Sequence, residues 1–159
     1  MAIAWNRDGI LCTCLPEENE CKLRKTLFKK TAENANEQNP PASISSVIRS
    51  IQKHLTGRNQ MFSLSLLNLT QIPAFHKEVY KKAVALKPGE ILSYGELATR
   101  AGSPKAARAV GQAMAKNPFP IIVPCHRVFA AGNKPGGFSA FGGIITKHKI
   151  LSLEQGAAP

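Results

Sequence analysis

Apolar positions in the first 69 residues follow two different periods, which together predict a small unit of mixed α/β structure. Two apolar runs flank the turn-forming residues 6–9 and predict a β-hairpin. Residues 17–30 are strongly charged and place Leu23 and Leu27 on one side, which predicts a helix. The polar stretch that follows, residues 31–43, predicts a loop.

Two further elements are expected before residue 70. Apolar residues spaced by three and four positions predict an amphipathic helix that ends near Gly57. Alternation of apolar residues with serines over residues 61–67 predicts a half-buried strand. The apolar residues of the helix are Ile44, Val47, Ile48, Ile51 and Leu55.

From residue 70 the pattern becomes mostly helical, so the chain is expected to divide into an α/β domain, residues 1–69, and a mostly α domain, residues 70–159. The second domain opens with a helix that ends at the Lys-Pro-Gly sequence of residues 87–89. The core positions of this helix are Phe75, Val79, Ala83 and Leu86.

Two short helices are expected next, joined by a turn. Ser93 and Glu96 have the Ser-x-x-Glu spacing of a capping box and predict a helix that closes at Gly102. Ser103, followed by Pro104, predicts the start of another helix, because proline lacks an N–H that the first helical position does not need. Two helices joined by a glycine-containing turn predict a helix-turn-helix.

The second of these helices has a core face and a polar face that carries little bulk. Val110 and Met114 share the core face. Small residues on the polar side allow close approach to another surface, and both a narrow DNA groove and another protein helix fit that description. The polar side carries Lys105, Arg108 and Gln112, with Gly111 and Ala115 beside them.

The net charge of +11 is concentrated in the second half of the chain. Residues 71–159 carry 12 lysines and arginines against 4 acidic residues, whereas residues 1–70 carry 9 against 6. A strongly basic half suits a polyanion such as nucleic acid, and a generally basic surface is the alternative. The first 19 residues contain no long apolar run, so we expect neither a signal peptide nor a membrane span. We therefore expect the four cysteines to be reduced thiols in a cytosol-like compartment.

The sequence IIVPCHRV, residues 121–128, places a cysteine beside two basic side chains after an expected apolar strand. A free thiol has a pKa of about 8.5, so Cys125 needs help to ionise at neutral pH. His126 could accept its proton if a helical turn begins near Cys125, and Arg127 adds positive charge. Glu154, on the apolar face of a last helix over residues 144–155, is the candidate partner that orients His126.

Taken alone, a Cys-His-Glu set fits several kinds of protein. It suits a thiol hydrolase, a redox cysteine or an acceptor of alkyl groups, and an inert core cysteine beside a surface histidine is the fourth interpretation. Cys12, Cys14 and Cys21 also suggest a zinc site completed by His54 or another distant group. Paired ligands at both ends are missing from that pattern, so buried apolar thiols are favoured and no metal is expected.

One long segment identifies a family. The sequence SYGELATRAGSPKAARAVGQAMAKNPFPIIVPCHRV, residues 93–128, closely resembles the active-site region of the O6-alkylguanine-DNA alkyltransferases. The likeness extends over residues 66–156, and residues 1–69 resemble the variable α/β domain of the family only loosely, as though its initial strand were absent. The resemblance implies an α/β N-terminal domain and a mostly α C-terminal domain that carries a helix-turn-helix and an active-site cysteine segment.

The resemblance also implies a role for each residue of the expected active site. Cys125 takes the alkyl group from the O6 atom of guanine, His126 deprotonates it through a water, and Glu154 holds His126. Tyr94 turns the phosphate 3′ of the target nucleotide and donates to the base. Asn117 ties the recognition helix to the active-site segment.

The same resemblance implies a DNA surface and a substrate pocket. Arg108 enters the duplex through the minor groove and replaces the flipped base. The other implied DNA contacts are Ser93, Tyr94, Lys105, Ala106, Ala107, Ala109, Gly111, Gln112 and Arg127. The implied pocket residues are Val123, Pro124, Ser139, Gly142 and Gly143.

The implied activity is suicide DNA repair that removes the alkyl group from O6-alkylguanine, and less well from O4-alkylthymine, with one turnover per molecule. No cofactor is implied, the partner is double-stranded DNA, and the protein is expected to be a monomer. The expected location is the bacterial cytoplasm at the nucleoid, or the nucleus of a eukaryote. A binding protein that recognises alkylated DNA and recruits other repair factors without transferring the alkyl group is the alternative.

Overall fold

The computed structural model describes residues 1–31, 36–134, 136–138 and 140–156. Within these ranges the chain forms six α-helices and two small sheets, with the first sheet at the start of the chain and the helices after it. No helix in this part of the chain combines the length and the apolar character needed to cross a bilayer.

The predicted hairpin is confirmed. Strands β1 (Ala2–Asn6) and β2 (Gly9–Cys14) pair antiparallel, and the side chain of Asn6 closes the turn by accepting from the backbone N–H of Asp8 at 2.9 Å. The backbone of Gly9 has a φ of 129°, and a Cβ there would lie 2.6 Å from the carbonyl oxygen of Leu66. The turn therefore needs glycine both for its conformation and for the close approach of a neighbouring segment.

Both predicted helices of the first 69 residues are present. The first, α1 (Glu20–Lys30), begins three residues later than its charge pattern suggested, because Asn19 caps it by accepting from the backbone N–H of Lys22. The second, α2 (Ala42–His54), buries Ile44 and Ile51 as its apolar spacing requires. Residues 36–41 of the predicted loop contain no helix or strand, and residues 32–35 lie outside the described residues.

The predicted strand over residues 61–67 is wrong. Ser63 uses its hydroxyl to accept from the backbone N–H of Ser65, which bends the segment locally instead of leaving it extended. The alternation of burial also fails, because Leu66 is exposed and Leu67 is buried. The segment pairs with β2 through a bridge at Ile10, whose backbone N–H donates to the carbonyl of Leu66 at 2.7 Å.

Residues 74–100 follow the predictions closely. Helix α3 (Ala74–Val84) is followed by the short strand β3 (Leu92–Ser93) and by helix α4 (Tyr94–Arg100). The predicted capping box is confirmed: the backbone N–H of Glu96 donates to the Ser93 hydroxyl, and the Glu96 carboxylate accepts from the Ser93 N–H.

The predicted start of the next helix at Ser103 is wrong, since α5 spans Ala107–Ala115. The backbone N–H of Ser103 donates to the carbonyl of Ala98, and that of Gly102, which has a φ of 75°, donates to the carbonyl of Thr99. This paired bonding is the motif that ends a helix, so Ser103 closes α4, and α5 begins four residues later, after Ala106.

The expected apolar strand before Cys125 is also wrong, because residues 121–124 form a tight loop. After it come a 3-10 turn (Cys125–Arg127) and strand β4 (Val128–Phe129), which pairs parallel with β3. A second 3-10 turn (Ala131–Asn133) precedes the last helix, α6 (Gly143–Glu154), close to the predicted bounds.

One hydrophobic core joins residues from both predicted domains, and the proposed boundary after residue 69 stays a prediction. Thr13 of β2 connects the first part of the chain directly to the segment that leads to Cys125. Its backbone N–H donates to the carbonyl of Pro118, and its hydroxyl donates to the carbonyl of Pro120, both at 2.9 Å. The hairpin thus stabilises the backbone segment that leads to Cys125.

We expect Gly9→Ala to lower the free energy of unfolding by about 3 kcal/mol, since the new Cβ adds a steric clash to an unfavourable backbone conformation. Gly102→Ala is the matched control: Gly102 also has positive φ, but no atom lies within 4 Å of the position that a Cβ would take, so its cost should be about 1–2 kcal/mol. Urea unfolding measures both values. Equal losses would show that the approach of Leu66 does not constrain position 9.

Candidate active site

The loop before Cys125 is held in an unusual backbone conformation. Ile121 has a φ of 75°, which is unfavourable for a β-branched residue, and it is buried. The backbone N–H of Val123 donates to the carbonyl of Phe119, and that of Cys125 donates to the carbonyl of Val123, both at 2.8 Å. These bonds turn the chain sharply, and the 3-10 turn begins at Cys125. A helical turn starting there is what the sequence required for His126 to accept the proton of this thiol.

Asn117 locks this loop to the end of α5. Its side-chain amide donates to the carbonyl of Val123 at 2.9 Å, and its side-chain oxygen accepts from the backbone N–H of Phe119 at 2.9 Å. Both bonds are buried, so their loss would leave polar groups without partners. This side chain therefore connects the end of the helix to the cysteine segment.

His126 is fully buried and oriented by Glu154. The two side chains meet at 2.7 Å between Nε2 of His126 and Oε1 of Glu154. An ionised carboxylate only accepts hydrogen bonds, so Nε2 carries the proton and a neutral ring has its lone pair on Nδ1. Within the described part of the chain Nδ1 has no hydrogen-bond partner. Burial lowers the pKa of the imidazole, so the ring is neutral at pH 7 and Nδ1 is available as a base.

The Glu154 carboxylate accepts hydrogen bonds from three segments of the chain: α2, the loop after α3 and the 3-10 turn. Besides His126, Oε1 accepts from Nε2 of His54 and from Nη2 of Arg127, each at 2.8 Å. Oε2 accepts from the backbone N–H of Gly89 at 2.8 Å. Burial by itself raises the pKa of this carboxyl, but the hydrogen bonds from His126, His54 and Arg127 outweigh it and hold the pKa well below its usual range.

Arg127 does not lie on the DNA surface, which corrects the expectation for that residue. Its guanidinium is buried against Glu154, and Nη1 donates to the carbonyl of Leu86 at 2.6 Å. A buried carboxylate needs a compensating charge, and Arg127 supplies it with two donors in a fixed geometry. Its role is therefore internal.

Cys125 is half-buried, and burial raises the pKa of its thiol. The Asn117 side chain and the charge of Lys147 act in the opposite direction without cancelling the effect of burial. Lys147 has no exposed surface; its Nζ donates to the carbonyl of Val128 at 2.6 Å and lies 4.1 Å from the centre of the Phe129 ring. Because the thiol is mostly protonated at neutral pH, the site needs a base, and His126 is adjacent.

A cavity of about 250 Å³ opens beside Cys125. The expected pocket residues do not line it: Val123 and Pro124 are buried in the loop, Gly142 caps α6 and Gly143 begins that helix. Ser139 lies outside the described residues. The cavity is lined instead by residues that precede and follow Cys125 in the sequence and by residues from the first part of the chain. They include Cys14, Lys30, Pro118, Pro120, Phe138 and Phe141.

The residues expected to contact DNA, apart from Arg127, lie around α4 and α5. Tyr94 begins α4 and is half-buried, in contact range of α5, because a Cβ on Gly111 would lie 3.9 Å from its ring. A Cβ on Gly136 would overlap the Tyr94 hydroxyl, so the loop after β4 also packs against this phenol. The remaining residues are Ser93, Lys105, Ala106, Ala107, Arg108, Ala109 and Gln112, all of them at least partly exposed.

The zinc site suggested by the N-terminal cysteines does not assemble. Cys12 and Cys14 are buried side by side on β2, whereas Cys21 is exposed on α1. A hydrogen bond from Cys12 lowers the pKa of the Cys14 thiol to about 7. Among the residues that the structure describes, the one cluster of three possible metal ligands is His54, His126 and Glu154. Arg127 contacts the carboxylate of that cluster, which opposes a cation there.

Comparison with known proteins agrees with this geometry. The family model for the DNA-binding domain of 6-O-methylguanine DNA methyltransferase matches residues 74–156. The chain belongs to this family. A methylated-DNA–protein-cysteine methyltransferase of Methanothermobacter thermautotrophicus is 30% identical over 154 residues, covering 97% of this chain and 78% of the relative.

Solved structures of the methyltransferase family are also similar. OGT of Mycobacterium tuberculosis in complex with DNA superposes with a TM-score of 0.75 at 32% identity, over 99% of this chain and 87% of that one. O6-methylguanine-DNA methyltransferase of Pyrococcus kodakaraensis gives 0.69 at 26% identity, over 96% and 88% of the two chains. The fold of the methyltransferase family thus covers nearly the whole chain.

Two residues of the methyltransferase site were missed by sequence reasoning. Lys147 is a lysine on the buried side of α6, and its position three and four residues before Ile150 and Leu151 was the available signal. The sequence suggested His54 only as a zinc ligand, and nothing local in α2 indicates its contact with Glu154, which lies 100 residues away. His54 also lies outside the segment that the family model matches.

We expect the free energy of unfolding of this methyltransferase to fall as the pH drops below about 6.5. The folded pKa of His126 is depressed, so between the unfolded and folded values only the unfolded chain binds the proton. The limiting slope for one proton is about 1.4 kcal/mol per pH unit. Glu154, whose pKa is also depressed, adds a further loss that begins only near its unfolded value of 4.5.

Urea unfolding at constant ionic strength between pH 7.5 and 5 measures this slope. His126→Gln should flatten it, whereas His148→Gln, which changes an exposed histidine on α6, should leave it unchanged. A full slope in His126→Gln would assign the acid sensitivity to another group.

Proposed function

We propose that this chain repairs DNA by transferring an alkyl group irreversibly from the O6 atom of guanine to Cys125. The observation that carries the proposal is the unpartnered Nδ1 of His126, buried in the turn that begins with Cys125 while Nε2 is held by Glu154. Among the interpretations of a Cys-His-Glu set, alkyl transfer is also the activity named for the relatives.

The proton moves first. The thiol of Cys125 has a raised pKa, so His126 takes its proton on Nδ1, directly or through one water, and Glu154 stabilises the imidazolium that forms. The thiolate attacks the alkyl carbon, the S–C bond forms, and the electron pair of the broken C–O bond stays on the guanine. Burial, and next to it the charge of Cys125, raise the pKa of the Tyr94 phenol, so it is protonated at neutral pH. It donates its proton to the departing base, which leaves as neutral guanine, and it is protonated again from solvent.

The target nucleotide must leave the stack before this reaction, because O6 of a paired guanine is out of reach of a protein thiol. We assign the minor groove to α5, where small residues allow a close approach and Arg108 is exposed to fill the space of the flipped base. Unstacking costs a few kcal/mol, and the inserted arginine offsets part of it. The positive charge of the second half of the chain adds affinity that does not depend on sequence.

The product limits the protein to one reaction. An S-alkyl cysteine is a thioether without a good leaving group, and the proposed chemistry contains no reagent that removes the alkyl group from sulfur. The same attack on O4-alkylthymine should be slower. We propose that a monomer suffices, because each functional residue named above comes from one chain.

Incubation with duplex DNA that carries a labelled O6-methylguanine should transfer one methyl group per protein molecule. Cys125→Ala removes the nucleophile and should abolish transfer, whereas Cys21→Ser, at an exposed cysteine, should leave it unchanged. Mass spectrometry of the tryptic peptides locates the label. Transfer that persists in Cys125→Ala would assign another nucleophile. Tight binding of the damaged duplex by the wild type without a covalent product would establish the binding-protein alternative.

Arg108→Ala should slow repair of duplex DNA by about tenfold or more while changing transfer from free O6-benzylguanine less than about twofold, because only the duplex needs its stack filled. Arg49→Ala, which removes an exposed arginine from α2, is the control for loss of charge. Single-turnover rates with both substrates give the comparison. Equal losses on the two substrates would place Arg108 outside the stack.

A further inference from the structure

We propose that His54 is a positioning residue for alkyl transfer: it fixes the carboxylate of Glu154 so that His126 keeps Nδ1 free to accept the proton of the thiol. This inference rests on the proposed function. His54 ends α2 in the first part of the chain, whereas the cysteine, the base and the carboxylate all lie in the segment that the family model matches. The reacting groups would then depend on a side chain from outside that segment.

The hydrogen bonds of His54 determine its tautomer. The backbone N–H of Gln60 donates to Nδ1 at 3.1 Å, so Nδ1 carries the lone pair. Nε2 therefore carries the hydrogen and donates to Oε1 of Glu154 at 2.8 Å. Both ring nitrogens of a fully buried histidine are thus satisfied, and the ring acts as a neutral donor with one fixed direction.

His54 and His126 donate to the same oxygen. Oε1 lies 2.8 Å from Nε2 of His54 and 2.7 Å from Nε2 of His126, and the two ring centres are 6.4 Å apart. Oε2 is held by the backbone N–H of Gly89 and by Nε of Arg127, whereas His54 acts on the oxygen that orients the base. A shift of Oε1 would rotate or release the ring of His126.

A backbone contact supports the same arrangement. Asn59, five residues after His54, donates from its side chain to the carbonyl oxygen of Glu154 at 2.8 Å. The segment 54–60 therefore contacts both the main chain and the side chain of Glu154 at the end of α6. Removal of the His54 side chain alone leaves the contacts that Asn59, Gly89 and Arg127 make with Glu154 in place, so the protein should still fold. The orientation of Oε1 toward His126 should nevertheless change.

The test uses three substitutions of His54 that differ in whether, and how far from the backbone, the new side chain places a hydrogen-bond donor. The amide nitrogen of a glutamine reaches about as far from the backbone as Nε2 of a histidine, whereas that of an asparagine reaches only about as far as Nδ1. His54→Gln should keep the bond to Glu154 and transfer within about threefold of the wild-type rate. His54→Asn and His54→Leu should lose the bond and transfer about tenfold more slowly, as expected when a reacting group loses its orientation. Ile51→Val, at a buried position one turn earlier in α2, controls for a general loss of helix packing.

The readout is the single-turnover rate with free O6-benzylguanine, which needs no DNA contact, measured from pH 5 to 8. The charged or titratable groups around His126 are Cys125, Arg127, Glu154 and His54. Loss of the fixed donor should move the midpoint of the pH–rate profile downward in His54→Leu and His54→Asn, because a ring released from Glu154 loses the hydrogen bond that stabilises its protonated form. His54→Gln and Ile51→Val should keep the wild-type midpoint, which a purely structural role would not predict.

Failure of this inference is distinguishable from failure of the proposed function. If the wild type transfers the benzyl group and all His54 variants match it in rate and pH profile, His54 has no positioning role. If His54→Gln is as slow as His54→Leu, or Ile51→Val is equally slow, packing explains the effect and the proposal is overturned. If the wild type transfers nothing, alkylation of Cys125 by iodoacetamide replaces benzyl transfer as the readout, with the same order expected among the variants.

Discussion

The buried carboxylate of Glu154 is the group on which the site depends. A carboxylate removed from water costs several kcal/mol unless charges and donors compensate for it. Arg127 supplies the charge, and His54, His126 and Gly89 supply further donors. Since these partners come from separate segments of the chain, the need to satisfy one carboxylate brings α2, the loop after α3, the 3-10 turn and α6 together.

This arrangement also resolves the opposing requirements of the thiol and its base. Burial raises the pKa of Cys125, which protects the thiol from ionisation but also makes it less reactive at neutral pH. The same burial lowers the pKa of His126, which keeps the ring neutral and able to accept a proton. Glu154 then favours the imidazolium only once a proton arrives. The thiol is thus held mostly in its less reactive, protonated form, next to a neutral imidazole.

Local chemistry in the sequence predicted the contact between His126 and Glu154 and most of the helices, but it could not predict the other long-range partners. Cys125 and Glu154 were recognisable because reactive or charged side chains on apolar segments need partners. Predictions failed where a polar group had a second use, as where Ser103 ends one helix instead of beginning the next. His54 gave no signal, because buried and exposed histidines on an amphipathic helix look alike until the fold shows what they face. Arg127 is a basic residue of the kind that contacts DNA, yet its ion pair with the buried carboxylate of Glu154 places it in the interior.

The link through Asn117 explains how contact with DNA and the chemistry at Cys125 can be parts of one rigid unit. Asn117 follows α5 directly and bonds to both sides of the loop that presents Cys125, while the exposed side of α5 carries Arg108. Gly111 on the same helix also brings α5 against Tyr94. In the proposed complex with DNA, the cysteine loop and the phenol therefore move together with α5. Docking of α5 in this proposed complex also sets the positions of Cys125 and Tyr94 relative to the flipped base.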